Sequence, residues 1–304
     1  MRNLTPSNYA TVFSEWKPDL IFVESAWQGY RNSWKYGIAS YAKHPDRTNA
    51  CLRDMLDMAD LANIPAIFWN KEDGVHYSRF IDSARLFRYI LTVDANCLDQ
   101  YRIDVPGALL IDVMPFPVQS RFHHLDVIGK EKGFSSFVGS YGTHVHPNRR
   151  QWQDLLFGVF AKNGLDVYDR NSARKSVNYR YPRIPGLRVK PSVSYEKTAA
   201  LYKSYKFNLN VNTVEMSPTM YSRRLIEIIA VGGVAISTPS LAAQKLFADY
   251  CHIVSSEDEM EAVLGWPPSR YGEAAERARQ GGQIVRELHT WTNRLEMIEE
   301  KAIF

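Results

Sequence analysis

Short apolar runs alternate along this chain with longer segments of helical periodicity. This alternation is typical of a parallel sheet covered by helices, because parallel strands need long crossover connections. The first half holds four predicted strands: Asp19–Glu24, Ala66–Asn70, Tyr89–Asp94 and Leu109–Val113. The second half holds five: Ser136–Gly139, Asp166–Tyr168, Phe207–Val211, Val234–Ser237 and His252–Val254. The pattern predicts two α/β domains, which agrees with a length of 304 residues.

The predicted domain boundary lies at 116–134, where the periodicity is lost after two prolines. We therefore expect an N-terminal domain at 1–130, a C-terminal domain at 131–285 and a final helix at 286–304. A second irregular stretch, 170–192, is rich in Arg, Tyr and Pro and is interpreted as a long loop. Loops of that length are often functional.

The composition is that of an ordinary globular protein, with 45% hydrophobic and 23% charged residues. No apolar run approaches the ~20 residues of a membrane-spanning helix, and the start lacks the layout of a signal peptide. Three isolated cysteines argue against a disulfide framework, and no C-x-x-C metal pair occurs. A reducing, cytoplasmic setting fits best.

Positive charge is concentrated in one region of the chain. The net charge is +4, and residues 1–130 are nearly neutral, with 14 Lys and Arg against 15 Asp and Glu. Residues 144–206 hold 13 Lys and Arg against four acids. This excess indicates an anionic ligand: a nucleotide diphosphate, an anionic glycan, nucleic acid or a membrane surface. A solvated basic loop explains the charge equally well.

The strongest local signal is SPTMYSRRLIEIIAVGGVAIS at 217–237, which reads as loop, helix, Gly-Gly turn and buried strand. Ser217 or Thr219 is expected to cap the helix. Arg223 and Arg224 share a helix face with Glu227. A helix end beside two arginines suits a diphosphate, and a carboxylate can accept both hydroxyls of a ribose. The simpler alternative is a surface salt bridge on an amphipathic helix.

Further segments accompany this one in order along nearly the whole chain: FVESAWQG at 22–29, PAIFWNKEDGVH at 65–76, ILTVD at 90–94, FVGSYG at 137–142, NRR at 148–150, VYDRN at 167–171 and HTWTNR at 289–294. Together they resemble the CgeB-like, spore-maturation-type glycosyltransferases. The resemblance implies a GT-B fold, with two facing Rossmann-like domains and a C-terminal helix that crosses back to the first. It also implies metal-independent transfer of a sugar from a nucleoside diphosphate, with a UDP-sugar as the expected donor and no further cofactor.

Carried over by position, the resemblance assigns the donor site. Glu227 would hold the ribose, and Arg223 or Arg224 the diphosphate. Further donor-binding residues are expected at Gly139, Ser140, Tyr141, Arg149, Asn210, Asn212, Ser217 and Thr219. Thr219 stands where many retaining relatives carry a second glutamate, so the stereochemical outcome stays open. The family's usual first strand and helix are also missing from the start of this sequence.

An inverting reaction would need a general base on the first domain. The candidates follow predicted strands: Glu24, Glu72 and Asp73, with His76 as a partner. Asp73 alternatively caps the next helix. Trp27 and Trp69, with Tyr30 and Trp34 nearby, are candidates for an acceptor platform, although tryptophan is mostly a core residue. His144 and His146 flank the expected phosphate loop.

The sequence thus predicts a glycosyltransferase whose acceptor is a glycan, a protein or a nucleic acid. One alternative is an enzyme that modifies DNA or protein, with the basic stretch on the phosphate backbone. The other is a non-catalytic module that binds a nucleotide sugar.

Overall fold

The computed structural model describes residues 1–301. The contacts divide the chain into two compact units. Unit 1 comprises Met1–Pro115, Ser217–Met220 and Leu295–Phe304, and unit 2 comprises Phe116–Met216 and Tyr221–Arg294. The division after Pro115 falls at the start of the predicted boundary stretch 116–134, whereas the domain bounds given above place it at residue 130. Residues 302–304, the end of the predicted final helix, lie outside the described residues.

Unit 1 contains a four-stranded, wholly parallel sheet in the order β1-β2-β3-β4. Its elements follow the chain as α1 (Tyr9–Glu15), β1 (Ile21–Glu24), α2 (Ala50–Leu61), β2 (Ala66–Asn70), α3 (Tyr77–Ala84), β3 (Tyr89–Thr92), α4 (Leu98–Asp104) and β4 (Leu110–Val113). All four strands predicted for the first half are present. The sheet packs on α2 and α3 around fully buried side chains such as Phe68 and Phe80.

Unit 2 contains a six-stranded parallel sheet in the order β10-β9-β8-β5-β6-β7. Its elements are β5 (Gly133–Gly139), α5 (Pro147–Ala161), β6 (Leu165–Asp169), β7 (Leu187–Lys190), α6 (Tyr195–Tyr202), β8 (Tyr205–Asn210), α7 (Arg223–Ala230), β9 (Ala235–Ser237), α8 (Leu241–Phe247), β10 (His252–Ile253), α9 (Glu257–Leu264) and α10 (Pro268–Leu288). The last helix, α11 (Trp291–Glu300), begins in unit 2 and is assigned to unit 1 from Leu295 onward. Strand β7 lies inside the stretch that the sequence predicts as loop.

The order of these strands reverses at β5. The chain lays β6 and β7 on one side of β5, and then places β8 on its other side. In open parallel sheets, ligands bind outside the carboxyl ends of the strands at such a switch point. The carboxyl ends of β5 and β8 are therefore the place to look for a site in unit 2.

Helix α7 is the most deeply buried helix near that edge. Every residue from Arg224 to Ala230 is buried. Helix α10 packs closely on it, because Gly281 has no side chain where a β-carbon would lie 2.8 Å from Ile229 Cγ2. Burying large aliphatic side chains on this scale stabilises the fold by about 1.5–3 kcal/mol each. The packing fixes the direction in which the first turn of α7 presents its polar side chains.

No helix within residues 1–301 is long and apolar enough to cross a membrane.

Candidate functional site

Arg224 lies at the switch point, with its side chain directed across the end of β5. Its Nε donates to Val138 O at 2.6 Å, and its Nη1 donates to Asn210 Oδ1 at 3.3 Å. The guanidinium lies 4.3 Å from the centre of the Phe137 ring. Only 8% of Arg224 is exposed. Two hydrogen bonds and an aromatic face thus hold this cation in one orientation.

Two further arginines join Arg224 in what we call the arginine cluster: Arg149, Arg170 and Arg224. Arg149 Nη2 donates to Ser140 O at 3.2 Å, while its buried Nε has no hydrogen-bond partner among the described residues. Arg170 directly follows β6, and its N–H donates to Gly139 O at 2.8 Å. The Arg170 contact is made by its backbone, and the charge of its side chain acts on both Arg149 and Arg224. All three residues therefore lie near the loop that ends β5.

The arginine cluster concentrates positive charge, and Glu227 is the nearby carboxylate whose charge interacts with Arg224 and Arg170. Burial, assisted by the charges on Arg149 and Arg170, lowers the pKa of Arg224 to about 10. Burial also lowers the pKa of Arg149, again assisted by Arg170. Within the part of the chain that the structure describes, none of the three forms a salt bridge. Arg149 and Arg224 are desolvated cations without a salt-bridge partner, and such cations bind anions strongly.

Glu227 is buried one turn further along α7, with 5% exposed. Tyr202 OH donates to its Oε2 at 3.4 Å, and Arg223 Nε lies 3.1 Å from its Oε1. The Arg223 contact is an ion pair rather than a well-directed hydrogen bond, so buried Oε1 lacks a hydrogen-bond donor. Burial raises the pKa of Glu227, and the charge of Arg223 opposes that rise most strongly. A carboxylate with an open acceptor position thus lies beside the arginine cluster.

Arg223 and Arg224 have different surroundings, although the sequence offers either of them as the ligand of the diphosphate. Arg223 stacks on the Tyr195 ring, with its guanidinium carbon 5.3 Å from the ring centre, and its side chain is 46% exposed. It pairs with Glu227, whereas Arg224 points to the end of β5. Of the two arginines, Arg224 is therefore the one placed to bind an anion at the end of β5.

The loop Gly139–Tyr141 lies at the arginine cluster. Ser140 O accepts from Arg149 Nη2 and from Gln153 Nε2, the latter at 3.0 Å. Tyr141 is buried and donates to Asp154 Oδ1 at 2.7 Å. These contacts fix the loop backbone, while the Tyr141 ring belongs to the core.

Asn210 and Asn212 are placed differently from the expectation that they line a pocket. Both are at most 1% exposed. Asn210 Nδ2 donates to Ser237 Oγ at 2.9 Å, and Asn212 Nδ2 donates to Thr238 O at 2.8 Å. Buried amides must satisfy their hydrogen bonds, and these do so by joining the ends of β8 and β9. Asn210 contributes to the site indirectly, because its Oδ1 orients Arg224.

Ser217 and Thr219 do not cap α7, contrary to the sequence expectation. The helix begins at Arg223 after Ser222, and residues 217–220 belong to unit 1. Ser217 Oγ donates to Asp94 Oδ1 at 2.6 Å. Thr219 Oγ1 donates to Val93 O and accepts from Ala95 N, both at 2.9 Å. Both hydroxyls are thus used to hold the turn after β3, which leaves them poorly suited to bind a donor.

The base candidates of unit 1 lie at the carboxyl ends of β1 and β2, as expected from their positions. Glu24 forms an ion pair with Lys71, and both side chains are partly exposed. Glu72 is half-buried in the following loop, where its N–H donates to Asn70 Oδ1 at 3.2 Å. Burial lowers the pKa of His76, whose ring packs 5.1 Å from Trp27. These three side chains stay candidates.

Asp73, by contrast, is fully buried. It accepts from Thr92 Oγ1 at 2.6 Å, from Asn70 Nδ2 at 2.6 Å and from Tyr101 OH at 2.9 Å. Burial raises its pKa to about 7. A carboxyl group enclosed by three donors has no access to an acceptor hydroxyl, which argues against Asp73 as the base. It does not cap α3 either, because that helix begins after His76.

Of the aromatic acceptor candidates, Trp69 and Trp34 belong to the core. Trp69 is 2% exposed and donates its Nε1–H to Met114 O at 2.9 Å. Trp34 is buried and donates to Leu4 O at 2.8 Å. Trp27 is half-buried and Tyr30 is exposed, so these two remain at the surface.

Several residues at the site were not singled out from the sequence. They are Arg170, Tyr181 and Tyr195. Tyr181 interacts electrostatically with Arg170, and its OH is buried without a hydrogen-bond partner in the described chain. Tyr195 lies against Arg223. The available signal was the position of Arg170, two residues after the predicted strand Asp166–Tyr168. His144 lies in the same loop region, 5.1 Å from the Tyr179 ring, and His146 precedes α5.

Neither a metal-ligand cluster nor the cavity of unit 1 contributes to the candidate site within the described residues. Among residues 1–301, no three His, Cys, Asp or Glu side chains are arranged to hold a metal ion. An open cavity of about 350 Å³, lined by Arg85, Arg88 and Gly107 among others, lies at the amino-terminal ends of β3 and β4. That is the edge of the unit 1 sheet opposite to the candidate residues.

Comparison with known proteins gives both a family and a fold. Residues 145–300, more than half of the chain, match the family model described as "Glycosyl transferase-like". No curated protein matches the chain. The structure is similar to the sucrose-phosphate synthase of Thermosynechococcus elongatus, with TM-score 0.58, 12% identity, and 98% of this chain and 76% of that chain covered.

Two more solved structures are similar. One is an α,α-trehalose-phosphate synthase (UDP-forming) of Burkholderia xenovorans in complex with glucose-6-phosphate, with TM-score 0.57, 13% identity, and coverage of 97% and 76%. The other is a glycosyltransferase of Rickettsia africae, with TM-score 0.53, 12% identity, and coverage of 87% and 83%. At these identities the likeness concerns the fold, which is the α/β fold of GT-B enzymes with two parallel sheets.

Proposed function

Since the chain belongs to the glycosyl transferase-like family and is a glycosyltransferase, we propose that it moves a sugar from a nucleoside diphosphate sugar to an acceptor hydroxyl without a metal ion. The observation that carries this proposal is the arginine cluster at the switch point of unit 2, three cations that form no salt bridge among the described residues. Within the family, the motifs at 22–29, 65–76 and 217–237 favour the CgeB-like group.

The diphosphate of the donor supplies the counter-ion that the arginine cluster lacks. Arg224 is fixed by Val138 O and Asn210, so it is oriented before the ligand arrives. The buried Nε–H of Arg149 is a hydrogen-bond donor without an acceptor among the described residues. As the bond between the anomeric carbon and the diphosphate breaks, negative charge grows on the leaving oxygen. Cations that are already held in position, as Arg224 is, stabilise that charge most effectively, which is the role a metal ion plays elsewhere.

Glu227 is proposed to accept the ribose hydroxyls. Its Oε1 lacks a hydrogen-bond donor, and its ion-pair partner Arg223 is half-exposed over the Tyr195 ring. Uracil is the base to test first, because the similar synthase of B. xenovorans is named as UDP-forming.

In the transfer step, the acceptor oxygen forms a bond to the anomeric carbon and the nucleoside diphosphate leaves. The acceptor proton passes to a base, for which Glu24 and Glu72 are the candidates on unit 1. Thr219, which replaces the second glutamate of many retaining relatives, has its hydroxyl occupied by Val93 O and Ala95 N. This supports an inverting reaction with a carboxylate base.

The test is a thermal-shift and titration series on the full chain with UDP, GDP, uridine and UDP-sugars. A ligand at 100 times its Kd stabilises the native state by about 2.7 kcal/mol, which shifts Tm by several degrees. We expect a shift with UDP and its sugars that uridine does not produce. Equal shifts with uridine and UDP, or none with any nucleotide, would overturn the donor proposal.

We also propose that the protein works in a reducing compartment such as the cytoplasm. Its cysteines Cys51, Cys97 and Cys251 are free thiols, and two of them are buried. Burial raises the pKa of Cys97 to about 12, so its reactive thiolate is disfavoured.

A further inference from the structure

The loop that joins β1 to α2, residues 25–49, has an unusual composition. It contains four Lys and Arg against one acid, and five Trp and Tyr. This local excess of positive charge is not apparent from the whole of residues 1–130, where the charges nearly balance. Both ends of the loop lie at the carboxyl edge of the unit 1 sheet, because β1 ends at Glu24 and α2 begins at Ala50. That edge is where open parallel sheets bind ligands.

Aromatic rings from two loops form a continuous row at this edge, which we call the aromatic ledge: Tyr36, Tyr41, Trp27 and His76. The ring centres of Tyr36 and Tyr41 are 4.7 Å apart, those of Tyr41 and Trp27 5.8 Å, and those of Trp27 and His76 5.1 Å. Tyr41 OH also donates to Trp27 O at 3.1 Å. All four side chains are half-buried, so each keeps a surface towards solvent. Aromatic faces of this kind pack against the C–H surfaces of sugars.

Cations flank one end of the aromatic ledge. Lys35 Nζ lies 4.9 Å from the centre of the Tyr36 ring, and the Arg47 guanidinium carbon lies 5.8 Å from it. His44 lies 5.0 Å from the same ring. Asp46, the one acid of the loop, approaches Arg47 to 3.6 Å, but both side chains are mostly exposed. An exposed pair of that kind offsets little of the positive charge.

The backbone of the loop is held in an unfavourable conformation. Among residues 1–301, five non-glycine residues have positive φ, and three lie in this loop: Arg31, Asn32 and Tyr36, at 50°, 64° and 67°. Side chains with a β-carbon avoid this region, and such conformations concentrate at functional sites. Tyr36 itself has one of these strained backbone conformations, and its ring position depends on it.

We propose that the aromatic ledge, with Lys35 and Arg47, is the acceptor site and that it takes a saccharide bearing a phosphate or carboxylate group. The proposal rests on the proposed glycosyltransferase function and names its acceptor class. The sugar ring packs on Tyr36, Tyr41 and Trp27, and the anionic group pairs with the two cations.

The experiment measures binding to the full chain by titration and saturation-transfer NMR. Three probes separate the possible sources of charge: methyl glucoside, glucose 6-phosphate and glucuronic acid. We expect at least one anionic probe to bind about two- to fivefold more tightly than the neutral one, since Lys35 and Arg47 are exposed and exposed ion pairs contribute in that range. The Lys35→Ala/Arg47→Ala double variant should remove this preference, and Tyr36→Ala should weaken binding of all three probes.

Arg2→Ala is the matched control, because Arg2 also lies over an aromatic ring of unit 1, 5.4 Å from that of Trp16. It should leave the probe affinities unchanged. Equal affinity for neutral and anionic probes, or a double variant that keeps the preference, would overturn the proposal. Tighter and steeply salt-dependent binding of an oligonucleotide would replace it with a nucleic-acid acceptor.

UDP titrations on the same variants separate this inference from the donor proposal. Normal UDP binding without preference for anionic saccharides contradicts the acceptor site alone. Absent UDP binding contradicts the donor proposal, while the saccharide result still decides what the aromatic ledge binds.

Discussion

Arg224 occupies the space that a side chain at position 139 would need. A β-carbon on Gly139 would lie 2.6 Å from Arg224 Nη2 and 2.8 Å from the Phe137 ring. The glycine at the end of β5 thus allows a buried cation to lie directly against the backbone of the proposed phosphate loop.

We expect Gly139→Ala to displace Arg224 and weaken UDP binding. Overpacking of this kind also destabilises a fold by about 1–3 kcal/mol. Gly158→Ala is the matched control, because a β-carbon there meets nothing within 4 Å. That helical substitution should raise stability slightly and leave UDP binding unchanged. Titration and thermal unfolding of both variants check the prediction. Unaltered UDP affinity in Gly139→Ala would contradict it.

Glu227→Gln should reduce the affinity for UDP. Hydrogen bonds to a charged group contribute about 1.5–3 kcal/mol, so a decrease of roughly 10- to 150-fold is expected. The decrease should be much smaller for 2′-deoxy-UDP, because one of the two hydroxyls is then absent. A variant that loses the same factor for both nucleotides speaks against the ribose assignment. Glu276→Gln, on the exposed face of α10, serves as the control.

Arg170→Ala should weaken UDP binding while uridine binding is unchanged. The Arg170 side chain is exposed, so its removal should not disturb the core. Loss of one phosphate-facing cation should also reduce the salt dependence of UDP binding. Titrations at two ionic strengths measure both effects, with Arg279→Ala as the surface control. Equal losses for uridine and UDP would show that Arg170 acts through the fold instead.

Asp73 should make stability depend on pH. Burial raises its pKa from 3.8 to about 7 in the native state, whereas the unfolded chain ionises near about 3.9. Between these values the native state binds more protons than the unfolded state. Its stability should therefore fall as pH rises from about 4 to about 7, by at most about 1.4 kcal/mol per unit.

Asp73→Asn removes that titration. Denaturant unfolding between pH 4 and pH 8 should show a flatter profile for the variant than for the parent, and parallel profiles would contradict the assignment. Comparison of the two proteins cancels the other groups that titrate in this range.

One of Glu24→Gln and Glu72→Gln should abolish turnover without changing UDP affinity. General-base catalysis contributes about 10²–10⁴ in rate, and the loss should fall in that range. Glu24→Gln also leaves Lys71 without its ion-pair partner. A pH–rate profile distinguishes the two effects, because loss of the base removes the acidic limb. Full turnover in both variants would show that neither residue is the base, so that another residue serves as the base or the reaction retains configuration.

Periodicity and strand-end position predicted most of the fold. The strand Ala66–Asn70 is found with the predicted bounds, and the positions of Glu24 and Glu72 at strand ends follow from it. Strand β7 was missed because prolines on both sides of Leu187–Lys190 made the stretch resemble a loop. Only the sheet topology reveals that Leu165 pairs with Leu187.

The site residues were harder to predict, because side-chain direction is decided by tertiary packing. Trp69 and Trp27 both follow the strand pattern, yet one fills the core and the other remains half-exposed. Arg223 and Arg224 are adjacent in sequence but lie 100° apart on the helix, so one pairs with Glu227 and the other enters the sheet edge. No sequence pattern separates these outcomes.

The segment Ser217–Met220 has a consequence for how the molecule can be divided. The chain leaves unit 2 at Met216, gives four residues to unit 1, and returns at Tyr221. A fragment cut after Pro115 would leave the Asp94 carboxylate and the Ala95 amide without the hydroxyls that satisfy them. The excised second half would keep the hydroxyls of Ser217 and Thr219 but would lack Asp94 and Ala95, their hydrogen-bond partners. Exchanging halves with a relative therefore requires this tetrapeptide to be swapped together with the first half, although it lies about a hundred residues further along the gene.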